Sequence, residues 1–245
     1  MLKFIAPTSR FAQRSSLAAF SRFYSFDAAK QPRVRIGSEA PNFEAVTTKG
    51  KINFHDFLGN GKWTVLFSHP ADFTPVCTTE LGAFAKAEPA FSALNTQLIG
   101  LSADSIENHD AWAKDIEEIS KGAQVNYPII ADSDRHVAFL YDMVDEEGFQ
   151  KGQQATTIRN VFVIDPAKKV RLYLVYPAST GRNISEVLRV VKALQTSDSA
   201  GVATPVDWIE GEDVIVPPSV STKDAAAKFG EVREIKPYLR YVHSK

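Results

Sequence analysis

The sequence contains a single cysteine, Cys77, and its neighbours point to chemistry at the sulfur atom. An apolar run over residues 63–67 predicts a β-strand before it, and a helix pattern begins near Thr74 and Pro75 and runs toward Lys86. Threonine is a favourable N-cap, and proline suits the first helical position because its missing N–H group would have no intrahelical partner. Cys77 is therefore expected in the first helical turn, where free N–H groups and the helix dipole favour a thiolate.

The spacing of three residues carries a resemblance to a known family. Pro70, Thr74 and Cys77 match the pattern Pro-x-x-x-Thr-x-x-Cys, which resembles the active-site loop of the peroxiredoxins, the AhpC/TSA family. The longer stretch 68–81 resembles the one-cysteine subfamily in particular, and the composition of residues 1–24, described below, favours its mitochondrial type. A lone cysteine is by default a small buried hydrophobe. Here the cap, the proline and the preceding strand favour the reactive interpretation.

The resemblance implies a thiol-specific peroxidase that reduces hydrogen peroxide and organic hydroperoxides to water and alcohols, in antioxidant defence and redox homeostasis. Cys77 would attack the peroxide and become a sulfenic acid. Since the 245 residues contain no second cysteine, we expect an external thiol to resolve it, from glutathione with glutaredoxin or from the thioredoxin system. The alternative is a thioredoxin-fold chaperone or binding module in which Cys77 only senses oxidation.

Two other residues of the motif have two interpretations each. The hydroxyl of Thr74, three residues before Cys77, can reach the peroxide or cap the helix, and both roles are compatible. Pro70 either shields the thiolate from water, as the resemblance implies, or only shapes a turn.

A cation that stabilises the departing oxygen must come from elsewhere in the chain. Arg159 lies in the apolar run 157–164, where an unpaired guanidinium would be costly to bury. It matches the arginine that peroxiredoxins place against the cysteine; the alternative is an edge-strand arginine that faces solvent. Arg182 matches a second arginine of the subfamily, or is a solvated loop residue. His69 resembles a subfamily histidine that contacts the cysteine, although without the resemblance a packed, hydrogen-bonded histidine is the default.

The composition argues against several other classes of protein. With 28 Lys and Arg against 29 Asp and Glu and no basic cluster, the chain is not expected to bind nucleic acid. No apolar run is as long as about 18 residues, so no membrane span is expected. The five histidines show no paired ligand spacing, and one cysteine cannot form an intrachain disulfide or a cysteine-based zinc site. Neither a metal nor an organic cofactor is predicted.

Residues 1–24 differ in composition from the rest of the chain. They contain four basic residues, several serines, interspersed apolar residues and no Asp or Glu, a pattern typical of an organellar transit peptide. The stretch around Tyr24 also resembles a mitochondrial processing site, which favours targeting over the alternative of a disordered basic tail. The sequence thus predicts a mitochondrial transit peptide over 1–24 and localisation in the mitochondrion, in the matrix.

The rest of the chain shows the pattern of an α/β protein. Strand-like and helical runs alternate, and they end in a hairpin over 157–176 and an apolar helical stripe over 184–194. This order predicts a mixed central sheet covered on both faces. It resembles the thioredoxin-like fold of peroxiredoxins over a domain at 32–196.

Three further expectations concern single segments of the chain. Residues 34–36 are a short strand candidate, and Pro89 is expected to interrupt the helix pattern that follows Cys77. Residues 197–245 are expected to form an irregular, proline-containing extension with little core of its own. By resemblance, this C-terminal peroxiredoxin extension packs across a homodimer.

Overall fold

The computed structural model describes residues 26–243 of the chain. The transit peptide predicted over 1–24 lies outside these residues. Within the described range, no helix is both long enough and apolar enough to cross a lipid bilayer.

Strands and helices alternate along the described chain, as the sequence predicts. The strands are β1 (Glu44–Thr47), β2 (Gly50–Asn53), β3 (Trp63–Ser68), β4 (Thr96–Ser102), β5 (Ile129–Ala131), β6 (Arg159–Ile164), β7 (Val170–Tyr176), β8 (Asp213–Ile215), β9 (Val232–Lys236) and β10 (Leu239–His243). The helices are α1 (Phe54–Leu58), α2 (Pro75–Ala93), α3 (Ile106–Ile119), α4 (His136–Leu140), α5 (Glu146–Lys151), α6 (Ile184–Ala200) and α7 (Thr222–Phe229).

The central sheet mixes parallel and antiparallel strands in the order β2-β1-β5-β4-β3-β6-β7. β3, β4 and β5 are parallel to one another, whereas β6 runs antiparallel to both β3 and β7. Every residue of β3 and β6 is buried, because helices cover both faces of the sheet. The mixed α/β architecture predicted from the sequence is confirmed.

The two faces of the sheet bury separate apolar clusters. Val161 and Val163 of β6 pack with α2, α3 and α6, whereas Phe162 and Ile164 pack with α1, α4 and α5. Side chains along a strand alternate between faces, so Arg159 lies on the same face as Val161. This alternation brings a strand arginine to the side of the sheet where α2 begins.

Helix α2 is longer than the sequence pattern predicts. It continues through Pro89 to Ala93, so the predicted interruption at this proline is wrong. Pro89 is exposed, and its cost to the helix is a missing N–H donor and a local distortion on the solvent side. The opposite face, with Leu81, Phe84 and Phe91, stays buried on both sides of the proline and holds the helix against the sheet.

The extension after α6 forms a small second sheet. β8, β9 and β10 are antiparallel, in the order β8-β10-β9. Trp208, Val214 and Val242 bury an apolar cluster together with Ala193 of α6. The prediction of an irregular extension is therefore wrong. The sequence does not show this sheet because its strands are short, and they are stable only when the fold pairs them with one another.

Residues 34–36 do not form the predicted strand. The chain there is irregular, and the next backbone N–H groups, of Gly37 and Ala40, donate to the carbonyl groups of Val170 and Lys168. Ile36 is exposed, so the alternating pattern does not mark a buried face. This prediction is wrong because residues 34–36 pair with no strand, and only the residues that follow them bond to the chain near the start of β7.

Candidate active site

Cys77 is the third residue of α2, in the first turn, as the sequence predicts. Its side chain is fully buried, at 0% exposed. Phe67 of β3, Leu81 of α2 and Val161 of β6 belong to the same apolar cluster. The sulfur atom is thus shielded from bulk water, at a helix start whose first N–H groups lack intrahelical partners.

Thr74 occupies the N-cap position, but its hydroxyl group does not cap the helix. Thr74 Oγ1 donates to the carbonyl oxygen of Ala71 at 2.8 Å. The carbonyl oxygen of Thr74 accepts from the backbone N–H of Thr78 and so begins the helix. The Thr74 side chain accepts no hydrogen bond from the first turn of α2. The backbone N–H groups of this turn are therefore available to donate to an electron-rich atom such as a thiolate sulfur.

The loop between β3 and α2 turns sharply at Phe73. Its φ of 53° lies in the left-handed region, which costs a bulky residue about 1–3 kcal/mol. Asp72 lies buried on one side of this turn, while Phe73 is 53% exposed on the other. Pro70 is half-buried in the same loop, where its ring fixes one backbone dihedral.

Arg159 faces the cysteine from the first position of β6. Its Nη1 atom lies 3.3 Å from Cys77 Sγ and 2.6 Å from Glu80 Oε2. Its Nε and Nη2 atoms donate to the carbonyl oxygen of Ala178, at 3.0 and 2.7 Å. The residue is buried, and β6 lies between β3 and β7. The alternative of a solvent-facing edge arginine therefore does not apply.

Glu80 connects Arg159 to a second buried arginine. Arg182 donates to Glu80 Oε1 through its backbone N–H and its Nε at 2.7 and 3.0 Å, and to Oε2 through Nη2 at 2.9 Å. Arg182 is thus not a solvated loop residue. Burial alone would raise the pKa of Glu80, but Arg182 and Arg159 outweigh it and hold that pKa below its ordinary value. Glu80 is an anion between two cations.

Glu80 is a residue of this site that the sequence motifs do not predict. It lies three residues after Cys77, hence on the same side of α2, and its neighbours on that side include the buried Leu81 and Phe84. A carboxylate on a buried helix face requires a cation or several hydrogen bonds. That signal could have pointed to a partner such as Arg159.

A second buried polar cluster, formed by His69, Asp72 and His109, adjoins the loop. His69 Nε2 lies 2.7 Å from Asp72 Oδ1, and His109 Nδ1 lies 2.6 Å from Asp72 Oδ2. The three residues have ligand atoms close enough together to surround a metal ion. However, each carboxylate oxygen is already at hydrogen-bond distance from one imidazole nitrogen. The sequence spacing did not reveal this cluster, because His109 comes from α3.

The cysteine contact that the resemblance implies for His69 is not a hydrogen bond in this structure. Its Nε2 is directed to Asp72, and its Nδ1 has no hydrogen-bond partner among residues 26–243. The ring packs 5.1 Å from that of Trp112, whose Nε1 donates to Thr78 Oγ1 at 3.1 Å. His69 therefore adjoins the start of α2 through Trp112.

The arrangement combines a buried thiol with a cation and free backbone N–H groups. Such donors stabilise a thiolate, and they also stabilise negative charge on an oxygen that departs during the reaction. The burial of Cys77 and Arg159 strengthens both effects, because charges interact more strongly away from water. A thiol-dependent peroxidase is the class of protein that this fold and site define.

Comparison with known proteins gives the same class. Residues 36–173 match the AhpC/TSA family, and residues 193–231 match the C-terminal domain of 1-Cys peroxiredoxin. The chain is 59% identical over 222 residues to the mitochondrial peroxiredoxin PRX1 of Saccharomyces cerevisiae, covering 90% of this chain and 85% of that protein. It is 50% identical over 215 residues to peroxiredoxin-6 of Rattus norvegicus, covering 84% and 96%. The chain belongs to the AhpC/TSA family, as a thiol-dependent peroxidase of the one-cysteine peroxiredoxin type.

Solved structures agree with this assignment. A yeast mitochondrial 1-Cys peroxiredoxin, described for its thiol resolving mechanism via the glutathione and thioredoxin systems, aligns with a TM-score of 0.78 and 56% identity, covering 86% of this chain and 100% of that one. A mutant peroxiredoxin 6 of Arenicola marina aligns with a TM-score of 0.81 and 44% identity, covering 87% and 99%. The predicted thioredoxin-like fold is confirmed. The mitochondrial localisation predicted from the sequence agrees with the yeast relative.

Proposed function

We propose that Cys77 is the peroxidatic residue of this enzyme. Its thiolate sulfur attacks one peroxide oxygen, so that an S–O bond forms while the O–O bond breaks. The departing oxygen takes a proton and leaves as water or an alcohol, and Cys77 becomes a sulfenic acid. The observation that carries this proposal is the 3.3 Å contact between Arg159 Nη1 and Cys77 Sγ, both of which are buried.

The proposed roles of the neighbouring residues follow from their positions. Arg159 stabilises the thiolate and the departing oxygen. Arg182 acts through Glu80, which it shares with Arg159, and so keeps Arg159 in place. Thr74 presents its hydroxyl oxygen at the entrance of the helix, where it can orient the peroxide. Pro70 shapes the loop and limits the access of water to the sulfur.

We propose that the sulfenic acid is resolved by an external thiol, glutathione with glutaredoxin or the thioredoxin system. The sequence offers no second cysteine, and the yeast relative is described with these two systems. Since Cys77 is fully buried, a thiol of that size reaches the sulfur only if the start of α2 opens locally.

A homodimer is the proposed assembly. β7 pairs with β6 on one side, while its other edge pairs with no strand of the described chain. Tyr173 and Val175 of this strand are exposed hydrophobic residues. An open strand edge with apolar side chains is a ready template for a second chain. The extension over 197–245 is proposed to pack across this dimer.

The proposed organisation comprises a transit peptide over 1–24, a thioredoxin-like domain over 32–196 and the C-terminal extension over 197–245. α6 joins the domain to the extension, since it runs from Ile184 to Ala200. Mature protein isolated from mitochondria is expected to begin near Ser25. An organellar form that retains Met1 would contradict the transit peptide.

The role of Cys77 is tested by comparing peroxide consumption by the wild-type protein and Cys77→Ser. Each is supplied separately with glutathione and glutaredoxin, and with the thioredoxin system. We expect turnover by the wild type with at least one system and none by the variant. Activity retained by Cys77→Ser would refute the assignment. Oxidation of the wild type by one equivalent of peroxide, without turnover in either system, would favour the alternative of a redox-sensing chaperone.

A further inference from the structure

Arg240 of β10 is a buried cation in the C-terminal sheet, at 5% exposed. Its Nη1 and Nη2 atoms donate to Thr222 Oγ1 and to the carbonyl oxygen of Pro217, each at 3.1 Å. Its Nε atom has no hydrogen-bond partner among residues 26–243, and the acceptors that these residues give the guanidinium are both neutral. A buried guanidinium without an anion is costly, because its charge has lost the surrounding water.

The guanidinium of Arg240 is directed at the first residue of α7. Thr222 follows the N-cap residue Ser221, so it lies at the end of the helix where the first N–H groups lack intrahelical partners. Thr222 is exposed, whereas the arginine that bonds to its hydroxyl group is buried. The residue is therefore accessible from the solvent, while its hydroxyl oxygen faces a cation.

The helix start and the arginine both favour negative charge on the Thr222 side chain. The N-terminal end of the eight-residue helix α7 is the positive end of its dipole. A phosphoryl group on a threonine carries about −1.5 to −2 charges and offers three acceptor oxygens. Since Thr222 Oγ1 already lies 3.1 Å from Arg240 Nη1, an oxygen on a phosphorus bonded to Oγ1 is within reach of the guanidinium.

We propose that Thr222 is a phosphorylation site and that Arg240 binds the phosphoryl group once it is attached. A protein kinase supplies the group from ATP. The bond between the γ-phosphorus and its bridging oxygen breaks as the bond to Thr222 Oγ1 forms, ADP leaves, and the hydroxyl proton passes to a base of the kinase. The step involves no oxidation or reduction, and the inference is independent of the chemistry at Cys77.

The hydroxyl group of Ser221 is less suited to the same modification. Ser221 Oγ accepts from the backbone N–H of Asp224 at 3.0 Å and donates to Asp224 Oδ2 at 2.7 Å. A phosphoryl group there would place a second anion against the Asp224 carboxylate. A carboxylate also lies near Thr222, because Glu234 Oε2 is 3.4 Å from Thr222 Oγ1. Glu234 is exposed on β9, so its side chain can turn into the solvent.

A phosphoryl group bound by Arg240 connects three parts of the extension. It is attached to α7 through Thr222, it contacts β10 through Arg240, and Arg240 also bonds to Pro217 in the loop after β8. β10 lies between β8 and β9 and pairs with both. The modification is therefore expected to slow the local opening of the extension.

The contact between the phosphoryl group and Arg240 is tested by phosphorus NMR on protein made with phosphothreonine at position 222. A guanidinium favours the dianion, so the second pKa of the group is expected below that of a phosphothreonine peptide. This pKa should rise in Arg240→Gln and stay low in the matched control Arg233→Gln, which removes an exposed arginine of β9.

Two results of this titration would refute the proposal. A pKa equal to that of the peptide, with Arg240 in place, would show that the arginine does not bind the group, and this measurement needs no arginine variant to fold. A pKa that stays low in Arg240→Gln would refute the role of the arginine.

The effect on the extension is measured by hydrogen exchange. Phosphorylation of Thr222 is expected to slow exchange in α7 and β8–β10 by about fivefold and to leave the central sheet unchanged. Thr222→Glu should likewise exchange more slowly than its uncharged match Thr222→Gln. Equal exchange in phosphorylated and unmodified protein would contradict the proposal. Inorganic phosphate added to the unmodified protein is expected to have no effect, and slower exchange in its presence would assign the site to a free anion instead.

The modification itself is tested by incubating recombinant wild type and Thr222→Val with radiolabelled ATP and a mitochondrial extract of the source organism. We expect the wild type to be labelled and Thr222→Val to lose the label. Ser219→Ala, which removes an exposed hydroxyl group from the preceding loop, is the matched control and should keep it. An unlabelled wild type, or equal label in the wild type and Thr222→Val, would overturn the proposal.

Discussion

Arg159 directs a single nitrogen, Nη1, at Cys77 Sγ and at the carboxylate of Glu80, at 3.3 and 2.6 Å. The guanidinium therefore reaches the sulfur while its position is fixed by an anion on the same helix as the cysteine. Glu80 lies one helical turn beyond Cys77, so α2 carries both the nucleophile and the anchor of its cation. The cation is therefore held by an anion of α2 and, on its other side, by the carbonyl oxygen of Ala178.

Removal of the cation in Arg159→Ala is expected to slow sulfenic acid formation by about 10²–10³-fold, because one charge-assisted donor to the developing anion is lost. The rate is measured by stopped-flow oxidation with hydrogen peroxide. Arg233→Ala serves as a control, because this arginine lies on β9 in an exposed ion pair with Asp213. An unchanged oxidation rate in Arg159→Ala would exclude the proposed role.

The pH dependence of stability is expected to depend on Glu80. Its pKa in the folded protein lies below the ordinary 4.5, so its contribution is fully present above that value and is lost as pH falls through the folded pKa. In Glu80→Gln the loss of unfolding free energy that accompanies protonation of Glu80 is expected to be absent. The variant is also less stable at neutral pH by about 3–5 kcal/mol, since two buried guanidinium groups lose their anion.

The measurement for Glu80 is urea unfolding of both proteins at a series of pH values between neutral and acid. Glu118→Gln is the matched control, because this glutamate is exposed on α3. Parallel pH profiles for the wild type and Glu80→Gln would contradict the prediction.

One equivalent of peroxide followed by glutathione is expected to add one glutathione per chain and to give no covalent dimer. Both Cα atoms of a disulfide must lie within about 7 Å of each other. Because the Cys77 side chain is fully buried, it cannot approach Cys77 of a second chain to that distance in the folded protein. Intact-mass spectrometry measures the product, and a quantitative Cys77–Cys77 dimer would refute this route while leaving the peroxidase assignment intact.

Gly82 of α2 lies against Ser120, the C-cap residue of α3. A Cβ atom at this position would lie 2.2 Å from Ser120 Oγ, so Gly82→Ala is expected to bring no net gain in stability. In Ser120→Ala the clashing atom is absent, and the same change should stabilise the protein by about 1 kcal/mol through helix propensity. Denaturant unfolding of the four proteins in this cycle measures the coupling. If Gly82→Ala changed the free energy of unfolding equally with Ser120 and with Ala at position 120, the predicted clash would be refuted.

The C-terminal sheet is expected to depend on Trp208. This residue is buried in the cluster beneath β8 and β10, and its Nε1 donates to the carbonyl oxygen of Glu212. Trp208→Ala should cost about 3–5 kcal/mol. Hydrogen exchange should accelerate first in β8–β10 and α7, before the central sheet. Tyr238→Ala, at an exposed turn position, is the control and should have little effect.

The sequence by itself determined the features that depend on neighbouring residues. The position of Cys77 in the first turn of α2 follows from Thr74, Pro75 and the apolar strand before them. The buried strands β3 and β6 follow from their continuous apolar runs, and α6 follows from its apolar stripe. These signals are local, so they remain visible without the rest of the fold.

The tertiary structure alone decided the partners of these elements. Glu80 meets Arg159 and Arg182, which are 79 and 102 residues away in the chain, and His109 meets Asp72 at a separation of 37 residues. The strands of the C-terminal sheet are short, so only their pairing in the fold reveals them. Pro89 is tolerated inside α2 because the fold turns this side of the helix to solvent. A buried charge must be matched wherever the fold brings a partner within reach. Sequence spacing does not record that distance, because it is set by how the strands and helices pack.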